Sequence, residues 1–317
     1  MNYFITGGAG FIGSNLADEL AKDPENQITI YDNMSTGFPE FIEDLKSKEN
    51  VKIIIGDVLD ECKLNESVKG CDFVFHLSAN ADVRFGLEHP KKDLEQNTIA
   101  THNVLEAMRI NGVKKIAFSS TGSVYGEAPV IPTPEDCPFP VQTSLYASSK
   151  LAGEALISSY CEGFGFTGYI FRFVSILGER YTHGHIFDFY KKLMDNPKEL
   201  KVLGNGKQRK SYLYIKDCIN AMKTVIGKAD KAVNIYNLGT DEYCEVNDSI
   251  RWICDYLGLK PDLVYTGGER GWVGDNPFIF LECEKLKKLG WKAELSINEA
   301  VLKTVQYIEQ NTWVFLG

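Results

Sequence analysis

The sequence predicts an α/β fold, a doubly wound parallel sheet carrying a smaller α+β lobe. Three observations lead there. Short apolar runs alternate with helical segments from Tyr3 to Phe173, the order that builds parallel βαβ units. The first run, Tyr3–Ile5, leads into Thr6-Gly-Gly-Ala-Gly-Phe-Ile-Gly13, behind which Leu16, Ala17 and Leu20 recur at helical spacing. Polar residues with chemical potential fall just beyond strand ends, where doubly wound sheets hold ligands.

Strand, glycine turn and helix together are the setting in which Gly7, Gly10 and Gly13 signify dinucleotide binding. Gly7 permits a sharp turn, Gly10 lets the backbone approach a pyrophosphate, and Gly13 lets the helix pack close on the sheet. Phe11 and Ile12 open the helix whose N–H groups face the phosphates. The first domain is therefore expected to be of the Rossmann type. The second strand, Gln27–Tyr31, ends in Asp32. An acidic residue about 20 positions past the glycines can accept from the adenosine ribose hydroxyls. It would also repel a 2′-phosphate, which favours NAD over NADP. The other reading of Asp32 is a turn or N-cap residue within Asp32-Asn-Met-Ser-Thr-Gly37; Asn33, Ser35, Thr36 and Gly37 of that loop are grouped with it as cofactor contacts.

Val51–Ile55 is the third strand, closed by Gly56-Asp57-Val58, where Asp57 either holds the adenine edge or caps the loop. Phe73–Leu77 is the fourth. The small residues after Leu77, Ser78-Ala79-Asn80-Ala81, let the backbone pass close to the cofactor. A helix spans about 92–110 and contains Asn97. The fifth strand, Lys115–Ser119, runs into Ser119-Ser-Thr-Gly-Ser-Val-Tyr-Gly126. Pro129–Pro140, with Glu135 and Asp136, reads as an ordered surface loop. Ser144–Phe164 is helical and Thr167–Phe173 is the sixth strand. Alternation then becomes irregular: His183-Gly-His185, a helix near Phe187–Met194, and the glycine-basic loop Leu203-Gly-Asn-Gly-Lys-Gln-Arg-Lys-Ser-Tyr212. The expected division is 1–174 plus about 212–240 for the cofactor domain, with 175–211 plus 241–317 as a smaller lobe closing over it.

Composition bounds the function. Hydrophobic content of 44% and charged content of 24% suit a soluble globular enzyme. A net charge of −9 argues against nucleic acid or an anionic membrane as partner. Any anionic substrate must then meet locally concentrated basic residues. The 8 cysteines include no Cys-x-x-Cys and read as reduced thiols. His183 and His185 have no third ligand placed near them, so they are read as shaping a loop, and no metal is expected. No apolar run approaches the roughly 20 residues of a membrane span. With a core strand at its very start, the chain reads as lacking a signal peptide, and a cytoplasmic protein is expected.

Leu145-Tyr-Ala-Ser-Ser-Lys150 carries the sharpest catalytic signal. On a helix Tyr146 and Lys150 are i and i+4 and share one face. A phenol ordinarily titrates near ~10, too high for a base at neutral pH. A nearby ammonium, and the positive charge of an oxidised nicotinamide, both favour phenolate. Thr121 would hydrogen-bond the reacting oxygen and stabilise charge on it.

Thr6-Gly-Gly-Ala-Gly-Phe-Ile-Gly-Ser14, Gly56-Asp-Val58, Ser119-Ser-Thr-Gly-Ser-Val-Tyr-Gly126 and Tyr146-Ala-Ser-Ser-Lys150 resemble the extended short-chain dehydrogenase/reductases. Within them the chain looks most like the NAD-dependent nucleotide-sugar epimerases of the UDP-glucose 4-epimerase type. Gly204–Asp217, Gly271–Pro277 and Lys285–Trp291 extend the resemblance over nearly the whole chain. It implies that Tyr146 takes the proton of a sugar 4-hydroxyl while C4 passes hydride to NAD. Lys150 then holds the nicotinamide ribose, and the 4-keto sugar turns over before hydride returns. Tyr146, Lys150 and Ser119 join the cofactor contacts, together with Val58, Leu77, Ala79 and Asn97.

The resemblance also implies substrate contacts from Thr121, Ser123, Ser175, His185, Lys210, Arg270 and Asp275. Arg172-Phe-Val-Ser175 stands where the family often has Arg-x-x-Asn, and Lys210 where it has arginine. Gly122-Ser123 replaces the Asp-Glu pair of dehydratase relatives, which favours epimerisation over elimination. By rough alignment Ile279 falls at a gate beside the sugar's C2 substituent. A UDP-N-acetylhexosamine, a UDP-uronate, another nucleotide base, a dehydratase and a catalytically silent NAD sensor remain as alternatives. The resemblance implies a homodimer through helices of the cofactor domain.

Overall fold

Apolar runs rich in Ile, Val and Phe form β1 (Asn2–Thr6), β2 (Gln27–Asp32), β3 (Val51–Ile55), β4 (Phe73–His76), β5 (Lys115–Thr121) and β6 (Thr167–Phe173). With β11 (Val233–Leu238) they make a seven-stranded sheet in the order β11-β6-β5-β4-β1-β2-β3. The pairs β1–β2, β1–β4, β2–β3 and β4–β5 are parallel. All of β4 and nearly all of β5 and β6 are buried, as befits strands covered on both faces by helices. The computed structural model describes residues 1–81, 88–139, 141–269 and 278–315.

The helices of this region are α1 (Phe11–Leu20), α2 (Glu61–Ser67), α3 (Ala100–Ile110) and α4 (Leu145–Phe164). Phe4, Tyr31, Leu64, Val74, Val104, Met108, Phe118, Ile157 and Ile170 form one apolar core among sheet and helices. Local chemistry sets the ends of α4. The Ser144 side chain accepts from Ala147 N, and Gly165 closes the helix at φ 66°, a left-handed cap that glycine adopts without strain.

The helix expected over about 92–110 forms, with one local departure: Pro90–Asp93 is α-helical, Leu94–Ile99 makes a π-helical turn, and the run continues without a break as α3. The buried Asn97 sits in that wide turn, its amide donating to Ser149 Oγ at 2.9 Å and accepting from Asn80 N at 2.8 Å. Turning a polar side chain inward takes up the extra residue, and such bulges recur at functional sites.

The chain divides into two compact units. The first holds Met1–Val124, Gln142–Arg172 and Met222–Tyr236; the second holds Tyr125–Val141, Phe173–Ala221 and Asn237–Gly317. In the second, β7 (Ser175–Leu177) pairs in parallel with β10 (Tyr212–Tyr214), and β8 (Glu199–Val202) with β13 (Asp262–Tyr265). β9 (Arg209–Lys210) lies between β12 (Cys244–Glu245) and β14 (Phe278–Ile279). Its helices are α5 (His185–Asp195), α7 (Val246–Leu257) and α8 (Ile297–Gln310), while α6 (Ile215–Lys228) contributes to both units.

The proline-rich stretch is ordered, with Thr133 N donating to Phe280 O at 2.8 Å and Glu282 N donating to Thr133 O at 2.9 Å. Among the described residues no helix is long and apolar enough to cross a membrane. Nor do any three His, Cys, Asp or Glu among them gather as a metal site.

Candidate active site

The glycine turn after β1 is crowded where it must be and open where a ligand would lie. Gly7 has φ +69°, and a Cβ on it would lie 2.7 Å from Ser78 N. Conformation and space both demand glycine there. A Cβ on Gly13 would lie 2.2 Å from Gly7 O and 2.7 Å from Gly8 Cα, so the start of α1 is packed on the turn itself. Around Gly10 a Cβ would meet only Gly7 O, at 3.3 Å. Gly10 is also the N-cap of α1 and provides no side-chain cap. An uncapped helix start, opened by Phe11 and Ile12 and clear of side chains, suits a pyrophosphate. Gly8, which the sequence did not single out, is held by crowding too, since a Cβ there would lie 2.7 Å from Ile30 Cγ2.

Asp32, the last residue of β2, has a local task. Its Oδ2 accepts from Ala9 N at 2.9 Å and its Oδ1 from Met34 N at 2.8 Å. It thus ties the glycine turn to a loop in which Met34 takes φ 61°. Burial raises the carboxyl above its usual range, against the two N–H bonds that pull it down. Gly37 closes against the same group, where a Cβ would sit 2.9 Å from Ala9 Cβ and 3.1 Å from Asp32 Oδ1. Asn33 donates to Asp57 Oδ2 at 2.8 Å and accepts from Ser35 N at 3.0 Å, with Thr36 between Ser35 and Gly37. Asp57 Oδ1 accepts from Leu59 N at 2.9 Å, a loop cap, and Val58 is buried. Leu77 N donates to Thr6 O at 3.2 Å, so β4 runs out beside β1 just before Ala79.

At the end of β5 the catalytic candidates come together. Lys150 is buried, its Nζ donating to Ser119 O at 2.8 Å and lying 4.8 Å from the Phe118 ring centroid. Burial brings this ammonium down to about 7, against the opposing charges of Asp93 and Glu154. Tyr146 and Thr121 share a side-chain hydrogen bond. Thr121 Oγ1 donates to Ser123 Oγ at 3.2 Å and accepts from Ser123 N at 3.1 Å. The phenol departs from expectation: burial pushes it up to about 12, helped by the charge of Asp93 and opposed by the Thr121 bond. The protein's own groups therefore do not depress it. Desolvation is the largest cause, and the Lys150 ammonium one turn away is not among the groups that lower the phenol.

Several residues around this set had no sequence signal. His76, fully buried, has Nδ1 2.8 Å from Thr6 Oγ1 and Nε2 3.0 Å from Thr101 Oγ1. Burial and then the Lys150 charge hold it down to about 3, so it is neutral. Asp93 accepts from Asn80 Nδ2 at 2.8 Å, joining the Asn97 cluster to the residues after β4. Their partners lie far away in sequence, and no fixed spacing announces them.

The second unit holds the remaining candidates. Ser175 is exposed on β7 and registers with Tyr212 of β10. The Tyr212 hydroxyl lies 2.8 Å from His185 Nδ1, and burial, then the Lys210 charge, holds this imidazole down to about 3. His183 stacks on Tyr181 at 6.0 Å. Lys210 registers with Cys244 on one side and Ile279 on the other. Its neighbour Arg209 lies 4.0 Å over the Phe278 ring and 5.7 Å from that of Tyr243, a cation–π seat. Arg270 and Asp275 lie outside the described residues.

Comparison with known proteins points the same way. The model of the NAD dependent epimerase/dehydratase family matches residues 3–239. The chain is 32% identical to a Methanocaldococcus jannaschii protein named provisionally as a UDP-glucose 4-epimerase, covering 97% of this chain and 98% of that one. It superposes on a crystal structure of a UDP-galactose 4-epimerase with a TM-score of 0.87 at 35% identity, covering 99% and 100% of the two chains. A Bacillus cereus UDP-glucuronic acid 4-epimerase, solved with UDP-glucuronic acid and NAD, gives a TM-score of 0.90 at 25% identity over 98% and 99% of the chains.

Proposed function

The chain belongs to the NAD-dependent epimerase/dehydratase family, with NAD as its cofactor, and from that premise we propose that it inverts C4 of a UDP-hexose of the glucose/galactose type. One observation carries the reading: Thr121, Tyr146 and Lys150 converge at the end of β5, with Gly122-Ser123 rather than an acid pair after Thr121. Elimination of water needs an added acid and base there; inversion through a 4-keto sugar does not.

The chain's residues divide the work. The turn at Gly7, Gly10 and Gly13 and the start of α1 take the pyrophosphate, and Asp32 the adenosine ribose. NAD, when bound, supplies the acceptor and donor of the C4 hydrogen and a positive nicotinamide charge that favours phenolate at Tyr146. Tyr146 Oη takes the proton from the 4-hydroxyl and gives it back after the sugar has turned. Thr121 holds the reacting oxygen by hydrogen bond. Lys150 carries positive charge into the site and holds the nicotinamide ribose. Lys210 and Arg270 are assigned to the diphosphate, as point charge and bidentate fork respectively.

The similarity to the UDP-glucuronic acid 4-epimerase supports one second reading, the same inversion on a UDP-uronate. The test is NMR of a panel of nucleotide sugars incubated with purified protein and no added cofactor. Interconversion of UDP-glucose and UDP-galactose from either side is the expected result. A stable keto product, or turnover confined to UDP-uronates, would replace it.

A further inference from the structure

Three consecutive residues at the end of β5 are each tied to a different turn of α4. Ser119 O accepts from Lys150 Nζ at 2.8 Å, Thr121 bonds Tyr146, and between them the Ser120 hydroxyl donates to Glu154 Oε1. Residues 146, 150 and 154 are spaced i, i+4 and i+8, so they line one helix face. Two of the three ties hold groups assigned to the chemistry. The third holds none, yet it is the one most fully enclosed. Ser120, Glu154 and Arg172 are respectively 2%, 4% and 2% exposed. Arg172, on β6, donates from Nε to Glu154 Oε1 at 3.0 Å and from Nη2 to Oε2 at 2.6 Å.

A buried ion pair is weak evidence for stability, because desolvation cancels much of its attraction. A pair that also carries the hydrogen bond between a strand and a helix sets their register. We infer that Glu154 is a positioning residue for the reaction: braced by Arg172, it pins Ser120 and thereby fixes how Ser119 and Thr121 meet Lys150 and Tyr146. The inference rests on the assignment of Thr121, Tyr146 and Lys150 to catalysis. Glu154 acts on charge as well. The charged and titratable groups that act on Lys150 are Glu154 from its own helix, Asp93 from the turn at Pro90–Asp93, and His76 from β4, with Arg172 behind Glu154 and Tyr146 one helical turn back. The Glu154 carboxylate favours the protonated ammonium against the cost of burying it.

Ser120→Ala removes the tie and leaves the Arg172–Glu154 pair in place. Its kcat for C4 inversion is expected to fall about tenfold, with KM within about twofold, since a small misplacement of reacting groups costs rate more than binding. Ser120→Thr, which keeps the hydroxyl, should recover most of the loss. Unchanged kcat in Ser120→Ala, or equal losses in both variants, overturns the inference. Glu154→Gln tests the charge: the ¹³C resonance of the Lys150 side chain, assigned by its loss in Lys150→Met, should titrate at lower pH than in the wild type. An unmoved titration counts against Glu154, and if this variant does not fold the serine variants decide. The titration needs no turnover. A wild-type protein that inverts no UDP-hexose therefore contradicts the proposed function while still leaving Glu154 to be judged.

Discussion

The end of β5 and the strand β9 both gather charged side chains, and they treat them differently. In the first unit Lys150, Glu154, Arg172 and Asp93 are buried and held by hydrogen bonds to strands and helices around them. In the second, Arg209 is exposed and spends its charge on the rings of Phe278 and Tyr243, and Lys210 is only partly buried. Chemistry that moves a proton needs atoms fixed before substrate arrives. A diphosphate asks only for positive charge within reach. The contrast separates the buried, hydrogen-bonded cluster proposed to react from the more exposed one proposed to anchor the diphosphate, and mutation should separate them too.

The largest effect is expected from Tyr146→Phe. It removes the proposed base and should lower kcat by about 10²–10⁴-fold with little change in nucleotide-sugar affinity, measured by NMR assay and calorimetry. Gly13→Ala places a methyl group 2.2 Å from Gly7 O. It should destabilise the protein by about 1–3 kcal/mol through overpacking and weaken NAD binding, read by thermal denaturation with and without NAD.

His76 gives a pH test. Its folded-state value, about 3, lies below the ordinary 6.5, so the unfolded chain binds the extra proton between those values. Stability is therefore lost as pH falls through that window, on the order of 2 kcal/mol between pH 7 and pH 5. His76→Gln should flatten this acid limb in urea titrations; an equally steep limb would place the loss elsewhere. Lys210→Met should raise KM about five- to tenfold with kcat nearly kept, as expected for an anchoring charge. Smallest is Arg209→Ala, which should cost about 0.5–1 kcal/mol of stability and leave kcat/KM unmoved.

Where the candidate site depends on local spacing, its geometry was legible in the sequence. The crowded turn at Gly7 and Gly13 and the helix carrying Tyr146 and Lys150 form as expected, because a turn and a helix convert short separations into fixed geometry. Thr121 followed from its place at a strand end. Contacts between distant segments were not legible. His76 meets Thr6 and Thr101, Glu154 meets Ser120 and Arg172, and Asn97 reaches Ser149 from inside a π-helical turn. Nothing in Leu94–Ile99 itself signals that turn, whose buried Asn97 finds partners at Asn80 and Ser149, outside the segment. The phenol of Tyr146 shows the same limit: i, i+4 spacing puts Lys150 one turn away, but burial and the charge of Asp93, which raise the phenol, come from the whole fold.

The most direct test of the central claim follows the hydrogen at C4. UDP-galactose deuterated at C4 is incubated with the purified protein in ordinary water without added NAD, and the product is analysed by NMR. Retention of deuterium at C4 of UDP-glucose, with no solvent hydrogen entering C5, is the predicted result, since the same hydrogen leaves and returns within one binding event. Loss of the label from C4, or release of a keto sugar, would contradict it.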